Sequence, residues 1–295
     1  MFDPRRPTLR YRIDRGDCLG VVWLALGSVA LVEIAARQKP DAIVLDLQHG
    51  LWGRRDMEAA IGAAPSDVPV MVRVAENGPT AIGEALDAGA EGVIVPLVET
   101  AKGARKAVRG ARFPPHGTRS GGGVRPLHDF AAYVEGAERG IVVIPMIETA
   151  RGVRNAREIA EAEGVDMVLI GTGDLALSLG TFPRADARHE AACSGIHAAC
   201  RRAWTPCGIF TMDLEAAERR RAQGYRMVVT TNDIDMAAKG FGEATAAFAA
   251  LKTRRASAPN GAAETARSAP NGAAEEPGPY LPEALPAARR PEAVS

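Results

Sequence analysis

Lysine is scarce in this sequence, and neither sign of charge predominates. The 295 residues include 36 basic and 36 acidic side chains, so the formal net charge at pH 7 is zero. Without a net charge, no global field attracts nucleic acid or an anionic membrane, and we expect neither as a partner. No stretch approaches the roughly 20 apolar residues needed to span a bilayer, and no apolar signal region follows the N-terminus. We therefore expect a cytoplasmic protein.

Cysteine is also rare, and its spacing argues against a zinc site. The sequence contains Cys18, Cys193, Cys200 and Cys207, with no CxxC pair among them. The last three are seven residues apart, but Pro206 would end any helix before Cys207. We expect buried free thiols.

Three segments differ in composition. Residues 1–17 form a polar N-terminal arm, and residues 18–252 carry the apolar runs expected of a catalytic domain. From residue 253 to 295 the chain is rich in proline, alanine, glycine and glutamate, and residues 257–264 recur as 268–275. Such a tail buries too little apolar surface to order itself, so we predict that it is disordered.

Within the central segment, short apolar runs alternate with helical patterns. The predicted strands are 19–26, 42–46, 69–73, 92–96, 142–148, 167–171, 207–211 and 226–230. The predicted helices are 28–37, 54–64, 79–88, 100–108, 151–161, 189–204, 214–222 and 234–251. An α/β fold with eight strands over about 235 residues is typical of a (β/α)8 TIM barrel. A doubly wound sheet is the alternative, but no nucleotide-binding fingerprint follows the first strand.

Two of these predicted strands lead into a single carboxylate, Glu148 and Asp174. In a parallel α/β protein, chemistry takes place at the rim formed by the carboxyl ends of the strands. Hard oxygen ligands at this rim are suited to a divalent cation. We therefore predict that both carboxylates bind a metal ion.

Strands two and three end in further polar residues. The spacing of Asp46 and His49 allows the carboxylate to orient the imidazole as a general acid or base. The alternative is a helix-capping aspartate beside an unrelated surface histidine. Arg73 ends an apolar run and could hold a substrate oxygen, or could form a structural ion pair with Asp46 or Glu148.

The stretch Gly171-Thr172-Gly173-Asp174 precedes a predicted helix start. Its free backbone N–H groups could bind a small carboxylate or phosphate, although Asp174 could also be a simple N-cap. Schiff-base chemistry would require a lysine at a strand end. All five lysines lie elsewhere: Lys39, Lys102, Lys106, Lys239 and Lys252.

Four motifs occur in a characteristic order. They are Asp46-Leu47-Gln48-His49-Gly50, Phe113-Pro114-Pro115-His116-Gly117-Thr118-Arg119, Met146-Ile147-Glu148-Thr149 and Gly173-Asp174-Leu175. With these spacings, residues 19–248 resemble the HpcH/HpaI aldolase family, the class II pyruvate aldolases related to citrate lyase β-subunits. Three positions depart from this pattern. Gln48 stands where family members often carry Glu, Met146 stands where some carry Gln, and Gly171-Thr172-Gly173-Asp174 stands where Gly-Pro-Ala/Ser-Asp is usual.

The resemblance implies a TIM barrel that forms a homo-oligomer, a trimer or hexamer with an exchanged C-terminal helix, and binds Mg, Mn or Co. It implies that Glu148 and Asp174 are the metal ligands and that Arg73 stabilises a pyruvate enolate. His49, oriented by Asp46, becomes the acid or base. The backbone around Gly173 and Asp174 would hold the pyruvate carboxylate.

The implied reaction cleaves a 4-hydroxy-2-oxo acid, such as 4-hydroxy-2-oxoheptanedioate or a 2-keto-3-deoxy sugar acid, to pyruvate and an aldehyde. The implied ligands are therefore a small 2-oxo acid and an aldehyde. The alternatives are an oxaloacetate decarboxylase or a C–C bond-forming synthase that uses the same enolate. A CoA-ester lyase and a non-catalytic binding protein are further alternatives.

Overall fold

The computed structural model describes residues 8–256 and contains a closed barrel of eight parallel strands. The strands are β1 Leu19–Leu24, β2 Ala42–Asp46, β3 Val70–Arg73, β4 Gly92–Val95, β5 Val142–Ile147, β6 Val168–Ile170, β7 Cys207–Ile209 and β8 Met227–Asn232. Each strand pairs with the next along the chain, and β8 pairs with β1. The predicted TIM barrel is confirmed, and closure by β1 and β8 excludes the doubly wound sheet.

The strands are apolar because both of their faces are buried. Every residue of β2, β3, β4 and β5 is buried. One face contributes to a cluster inside the barrel, which includes Val44, Met71 and Ile144. The other face packs against the surrounding helices in a larger cluster. Such burial explains the continuous runs of β-branched residues in the sequence.

The first helix precedes β1, and the other helices follow the strands around the barrel. They are α1 Leu9–Asp14, α2 Val29–Arg37, α3 Arg54–Ala63, α4 Pro79–Asp87, α5 Ala101–Ala111, α6 Phe130–Gly140, α7 Ala150–Arg154, α8 Ala156–Ala160, α9 Thr172–Leu179, α10 Ala187–Arg202, α11 Leu214–Ala222 and α12 Asp233–Ala256. Ser28 caps α2 as predicted, since its side chain accepts a hydrogen bond from the N–H of Leu31. The single helix predicted over 151–161 is divided at Asn155, whose ψ of 11° departs from helical geometry.

Part of the predicted N-terminal arm is a packed helix. The α1 side chains Leu9 and Ile13 are 0% and 5% exposed and belong to the cluster inside the barrel. The N–H of Leu9 donates to Glu91 at 3.1 Å, and Arg10 forms an ion pair with Asp166 at 2.6 Å. These contacts close the barrel at the N-terminal ends of its strands.

The long irregular segment after α5 lies on this same closed side, because it links the end of α5 to α6, which leads into the start of β5. The buried side chain of Arg119 donates hydrogen bonds to Asp87 and to the hydroxyl of Tyr133, each at 2.7 Å. Its guanidinium also lies 4.6 Å from the centre of the Phe113 ring. These contacts give the segment a structural role on the side opposite the carboxyl ends of the strands.

The described residues up to Glu243 belong to one compact unit, and a second unit begins at Ala244. Within the second unit, the side chains of residues 244–253 are exposed. Helix α12 extends to Ala256, past the predicted domain boundary at residue 252. Residues 1–7 and the predicted tail from residue 257 onward lie outside the described part of the chain. None of the helices within residues 8–256 is long and apolar enough to cross a membrane.

Candidate active site

A cavity of about 400 Å³ opens at the carboxyl ends of the strands. Its lining contains all six residues that the sequence predicts for the site: Asp46, His49, Arg73, Glu148, Gly173 and Asp174. The parallel barrel explains this convergence, because it brings the ends of β2, β3, β5 and β6 to one rim.

Asp46 and Arg73 form a buried ion pair at this rim. They are register partners on β2 and β3, so their side chains leave adjacent strands at the same level. The Arg73 guanidinium donates to both carboxylate oxygens, at 2.8 Å from Nε and 2.5 Å from Nη2. Burial raises the pKa of Asp46, but the hydrogen bonds and charge of Arg73 outweigh it and hold that pKa below its ordinary value. Arg73 therefore forms the ion pair with Asp46 that the sequence allowed as an alternative to holding a substrate oxygen.

Trp23 completes this group and was not predicted from the sequence. Its indole Nε1 donates to Asp46 at 3.3 Å, and the Arg73 guanidinium lies 5.1 Å from its ring centre. Phe210 packs edge-on against the indole, with ring centres 5.1 Å apart. The sequence does contain a signal for this residue, which is a single tryptophan in the apolar run of β1. Side chains alternate along a strand, so every second side chain of β1 points into the barrel.

The predicted orientation of His49 by Asp46 is wrong. The Asp46 carboxylate accepts hydrogen bonds from the backbone N–H groups of Gln48 and His49, at 3.0 and 3.2 Å, rather than from the imidazole. A spacing of two or three residues favours this local turn, which competes with a side-chain contact. The His49 side chain is 60% exposed, and its Nε2 lies 4.0 Å from Oδ2 of Asp174.

Glu148 is a buried carboxylate with one oxygen unsatisfied. Its Oε1 accepts a hydrogen bond from the N–H of Leu97 at 2.7 Å, whereas Oε2 has no hydrogen-bond partner among the described residues. Burial raises the pKa of Glu148 to about 7; the Leu97 hydrogen bond and the Arg73 charge oppose this shift, and Asp174 adds to it. A Cβ at Gly171 would collide with Oε2, so glycine keeps the space beside this oxygen open.

Asp174 lies in the first turn of α9, and the N-cap of this helix is Gly171. The alternative that Asp174 is a simple N-cap is therefore wrong. Gly171 makes no side-chain capping bond, which leaves the first backbone N–H groups of α9, including that of Gly173, available for an anion. A helix of eight residues thus presents both a carboxylate and free N–H groups to the cavity.

The residues present fit a divalent cation. Glu148 contributes a buried oxygen without a partner, and the charge of Asp174 is close enough to raise its pKa. Both are the hard oxygen donors that Mg²⁺ and similar ions prefer. Within residues 8–256 there is no cluster of three or more His, Cys, Asp or Glu side chains suited to a metal. Two carboxylates suit an ion that takes its remaining ligands from water and substrate.

The mouth of the cavity is mainly apolar. Four exposed apolar side chains line it, Leu177, Phe182, Met212 and Ile234, together with the exposed carboxylate of Asp235. Met146 lines the interior near Gly171, and Arg73 is the only Lys or Arg among the described lining residues. Because Arg73 is only 7% exposed, the described mouth offers no Lys or Arg for a second charged group of a ligand.

Comparison with known proteins agrees with the motif resemblance. The profile of the family described as HpcH/HpaI aldolase/citrate lyase matches residues 20–239. The chain is 34% identical to the 4-hydroxy-2-oxovalerate aldolase of Rhodococcus jostii (strain RHA1), covering 77% of this chain and 90% of that protein. It is also 34% identical to the hydroxypyruvate/pyruvate aldolase of Paraburkholderia phytofirmans, covering 77% and 91%.

A solved structure supports the same relationship. The HpcH/HpaI aldolase/citrate lyase family protein from Burkholderia cenocepacia J2315 superimposes with a TM-score of 0.77 and 32% identity, covering 81% of this chain and 98% of that chain. The profile match, the two aldolase relatives and this superposition agree with one another. On this evidence, the chain belongs to the HpcH/HpaI aldolase/citrate lyase family.

Proposed function

We propose that this protein is a divalent-metal-dependent aldolase that cleaves a 4-hydroxy-2-oxo acid to pyruvate and an aldehyde. The observation that carries the proposal is the buried Glu148 oxygen without a partner, beside Asp174 and within reach of the Arg73 charge. The aldolase names of two relatives with 34% identity support the reaction class.

In this proposal, Glu148 and Asp174 hold a divalent cation such as Mg, Mn or Co. The bound ion supplies Lewis-acid polarisation of the 2-oxo group. The free N–H groups at the start of α9, around Gly173 and Asp174, bind the substrate carboxylate. Because the end of β5 and the start of α9 lie at one rim of the closed barrel, they can orient the substrate before reaction.

Arg73 stabilises the negative charge that develops on the 2-oxo oxygen when the C3–C4 bond breaks. The electron pair of that bond moves toward the oxygen, and the C4 hydroxyl loses its proton as the aldehyde forms. A guanidinium held in place by Asp46 and Trp23 needs little reorganisation as charge develops, which is the basis of electrostatic catalysis. Asp46 is thus a positioning residue.

His49 is the proposed base for the C4 hydroxyl proton. Its imidazole is exposed to the cavity, and the carboxylate of Asp174 lies 4.0 Å from Nε2. An imidazole can both accept and return a proton, which suits His49 to this role.

The first experiment measures pyruvate release with coupled lactate dehydrogenase. With 4-hydroxy-2-oxovalerate we expect turnover that EDTA removes and that added Mn or Mg restores. The apolar mouth predicts that 4-hydroxy-2-oxoheptanedioate, which carries a second carboxylate, has a kcat/KM lower by about tenfold or more. Turnover indifferent to EDTA would contradict the metal proposal. Oxaloacetate decarboxylation without pyruvate release from either hydroxy acid would favour the decarboxylase alternative.

His49→Gln tests the proposed base. We expect turnover to fall by roughly 10²- to 10⁴-fold, the usual contribution of a general acid or base. Because the side chain is 60% exposed, thermal stability should stay near that of the wild type. The control is His116→Gln, an exposed histidine on the opposite side of the barrel. Wild-type turnover in His49→Gln across the pH range would exclude the role.

We also propose that the protein is a cytoplasmic homo-oligomer, a trimer or hexamer, in which α12 contacts a neighbouring subunit. The exposed apolar side chains of α12 support this proposal. Met236 and Phe241 are 59% and 75% exposed, and Phe248 and Leu251 are 59% and 56% exposed. Several large exposed apolar side chains on one helix are typical of an interaction surface.

A further inference from the structure

A second cavity, of about 630 Å³, lies at the opposite end of the barrel from the candidate active site. It is located where α10 ends and where β7 and β8 begin, beside Cys207 and Arg226. Arg201, Arg226, His197 and Trp204 contribute to its lining, and its described lining contains no carboxylate. Its volume falls within the range of sites for small molecules.

The charge of this cavity is uncompensated. Within the described chain, neither Arg201 nor Arg226 forms an ion pair; Arg226 donates to the neutral carbonyl of Gly16 at 2.8 Å. By contrast, nearby Arg220 pairs with Glu190 at 2.6 Å. A concave surface with cations and no carboxylate focuses a positive potential, which attracts anions.

His197, Arg201 and Arg226 line the same cavity. Burial lowers the pKa of His197, and the positive charges of Arg201 and Arg226 lower it further. Arg201 comes from the end of α10, whereas Arg226 immediately precedes β8. The imidazole stacks on Tyr225, with ring centres 4.2 Å apart and an interplanar angle of 19°. Two segments that are distant in the sequence therefore each contribute a positively charged side chain to this cavity.

Trp204 has an unusual backbone conformation and is almost fully exposed. Its φ is +57°, in the left-handed region that glycine commonly occupies directly after a helix. The N–H of Thr205 donates to the carbonyl of Cys200 at 3.0 Å, which closes the end of α10 in this geometry. The indole is nevertheless 93% exposed, so packing does not explain a bulky residue here. Its ring is free to stack against a ligand.

We propose that this cavity binds an anionic ligand with a flat aromatic ring, of the chemical class of the purine nucleotides. Arg201 and Arg226 hold the phosphates, since guanidinium groups bind phosphate oxygens in bidentate fashion. Trp204 stacks on the base, and such stacking tolerates different bases because each presents a π-face. The site is separate from the candidate active site, so it is independent of the proposed aldolase reaction.

Calorimetric titration of the full chain with ATP in the presence of EDTA tests the proposal, because EDTA removes metal-mediated binding. We expect saturable binding, and at least a tenfold loss of affinity in the double variant Arg201→Gln/Arg226→Gln. Trp204→Gly should lose affinity by a similar factor, although glycine fits the positive φ and should not lower the melting temperature. Arg202→Gln is the matched control, because Arg202 is an exposed arginine of α10 that does not line the cavity.

Comparison ligands test separately the binding of phosphate by the arginines and the stacking of the base on Trp204. Inorganic pyrophosphate should bind at least tenfold more weakly than ATP, since it cannot stack on Trp204, and adenosine should also bind weakly because it lacks phosphates. Lack of saturable ATP binding, or equal losses in Arg202→Gln and in the double variant, would overturn the proposal. Pyrophosphate binding as tight as that of ATP would overturn the role of Trp204. Pyruvate release without nucleotide should be unchanged in all of these variants.

Discussion

Glu148→Gln is expected to reduce metal-dependent pyruvate release by roughly 10³-fold while leaving the metal-free protein at least as stable as the wild type. The loss of turnover follows from the loss of one of two charged ligands, which removes electrostatic stabilisation where negative charge develops. Stability should not fall, because the wild-type carboxylate is buried with one unpartnered oxygen. A neutral amide of the same shape can still accept the Leu97 hydrogen bond and avoids the cost of burying a charge.

The measurement combines coupled pyruvate assays over a range of metal concentrations with thermal unfolding in EDTA. Asp174→Asn should show a similar loss of turnover. Glu99→Gln is the matched control, because Glu99 also follows a barrel strand but pairs with Arg151 and Thr149 outside the cavity. Wild-type turnover in Glu148→Gln or Asp174→Asn would exclude that residue as a ligand. A large drop in the melting temperature would show that the Glu148 carboxylate has a structural partner.

Arg73→Met is expected to lower both activity and stability. Turnover should fall by roughly 10²- to 10³-fold, since a preorganised cation is lost beside the reacting oxygen. The free energy of unfolding should fall by about 3–5 kcal/mol, because removing one partner of a buried ion pair leaves the other charge uncompensated. Asp46 is 3% exposed and Arg73 is 7% exposed, so the pair is a buried ion pair.

A double-mutant cycle separates the two effects of this ion pair. Asp46→Asn should also be destabilising, because it leaves the buried guanidinium without a counter-charge. In Asp46→Asn/Arg73→Met neither charge remains, so stability should recover toward that of the wild type while turnover stays low. Denaturant unfolding measures the stability of each variant, and pyruvate release measures its activity. Recovery of turnover in the double variant would show that Arg73 acts only structurally.

Much of the barrel could be predicted from the sequence, because the patterns that indicate its strands and helices extend over only a few neighbouring residues. Runs such as that of β5, buried on both faces, have to be continuously apolar, and glycines and caps mark the helices between them. The carboxylates Glu148 and Asp174 could also be recognised from the sequence, because each is a charged residue that follows an apolar run. Where local backbone geometry intervenes, the prediction is less accurate, as at Asn155, which divides one predicted helix into two.

The contacts within the site were less predictable. Asp46 was assigned to the imidazole of His49 because the two are close in sequence, yet its side-chain partners are Arg73 and Trp23 on neighbouring strands. These partners depend on the register of β1, β2 and β3, which spacing along the chain does not specify. The apolar mouth is likewise assembled from segments after different strands, including Phe182 and Met212.

The sequence by itself determined the eight-fold alternation of strands and helices, the two carboxylates of the rim and the absence of a lysine suited to imine chemistry. Only the tertiary structure decided that Glu148 is buried with a free oxygen, that Asp46 pairs with Arg73, and that two arginines line the same cavity as Trp204. The physical reason is the range of the interactions. Secondary structure reflects periodic burial over a few residues, whereas pairing, desolvation and electrostatic potential depend on groups that only the closed barrel brings together.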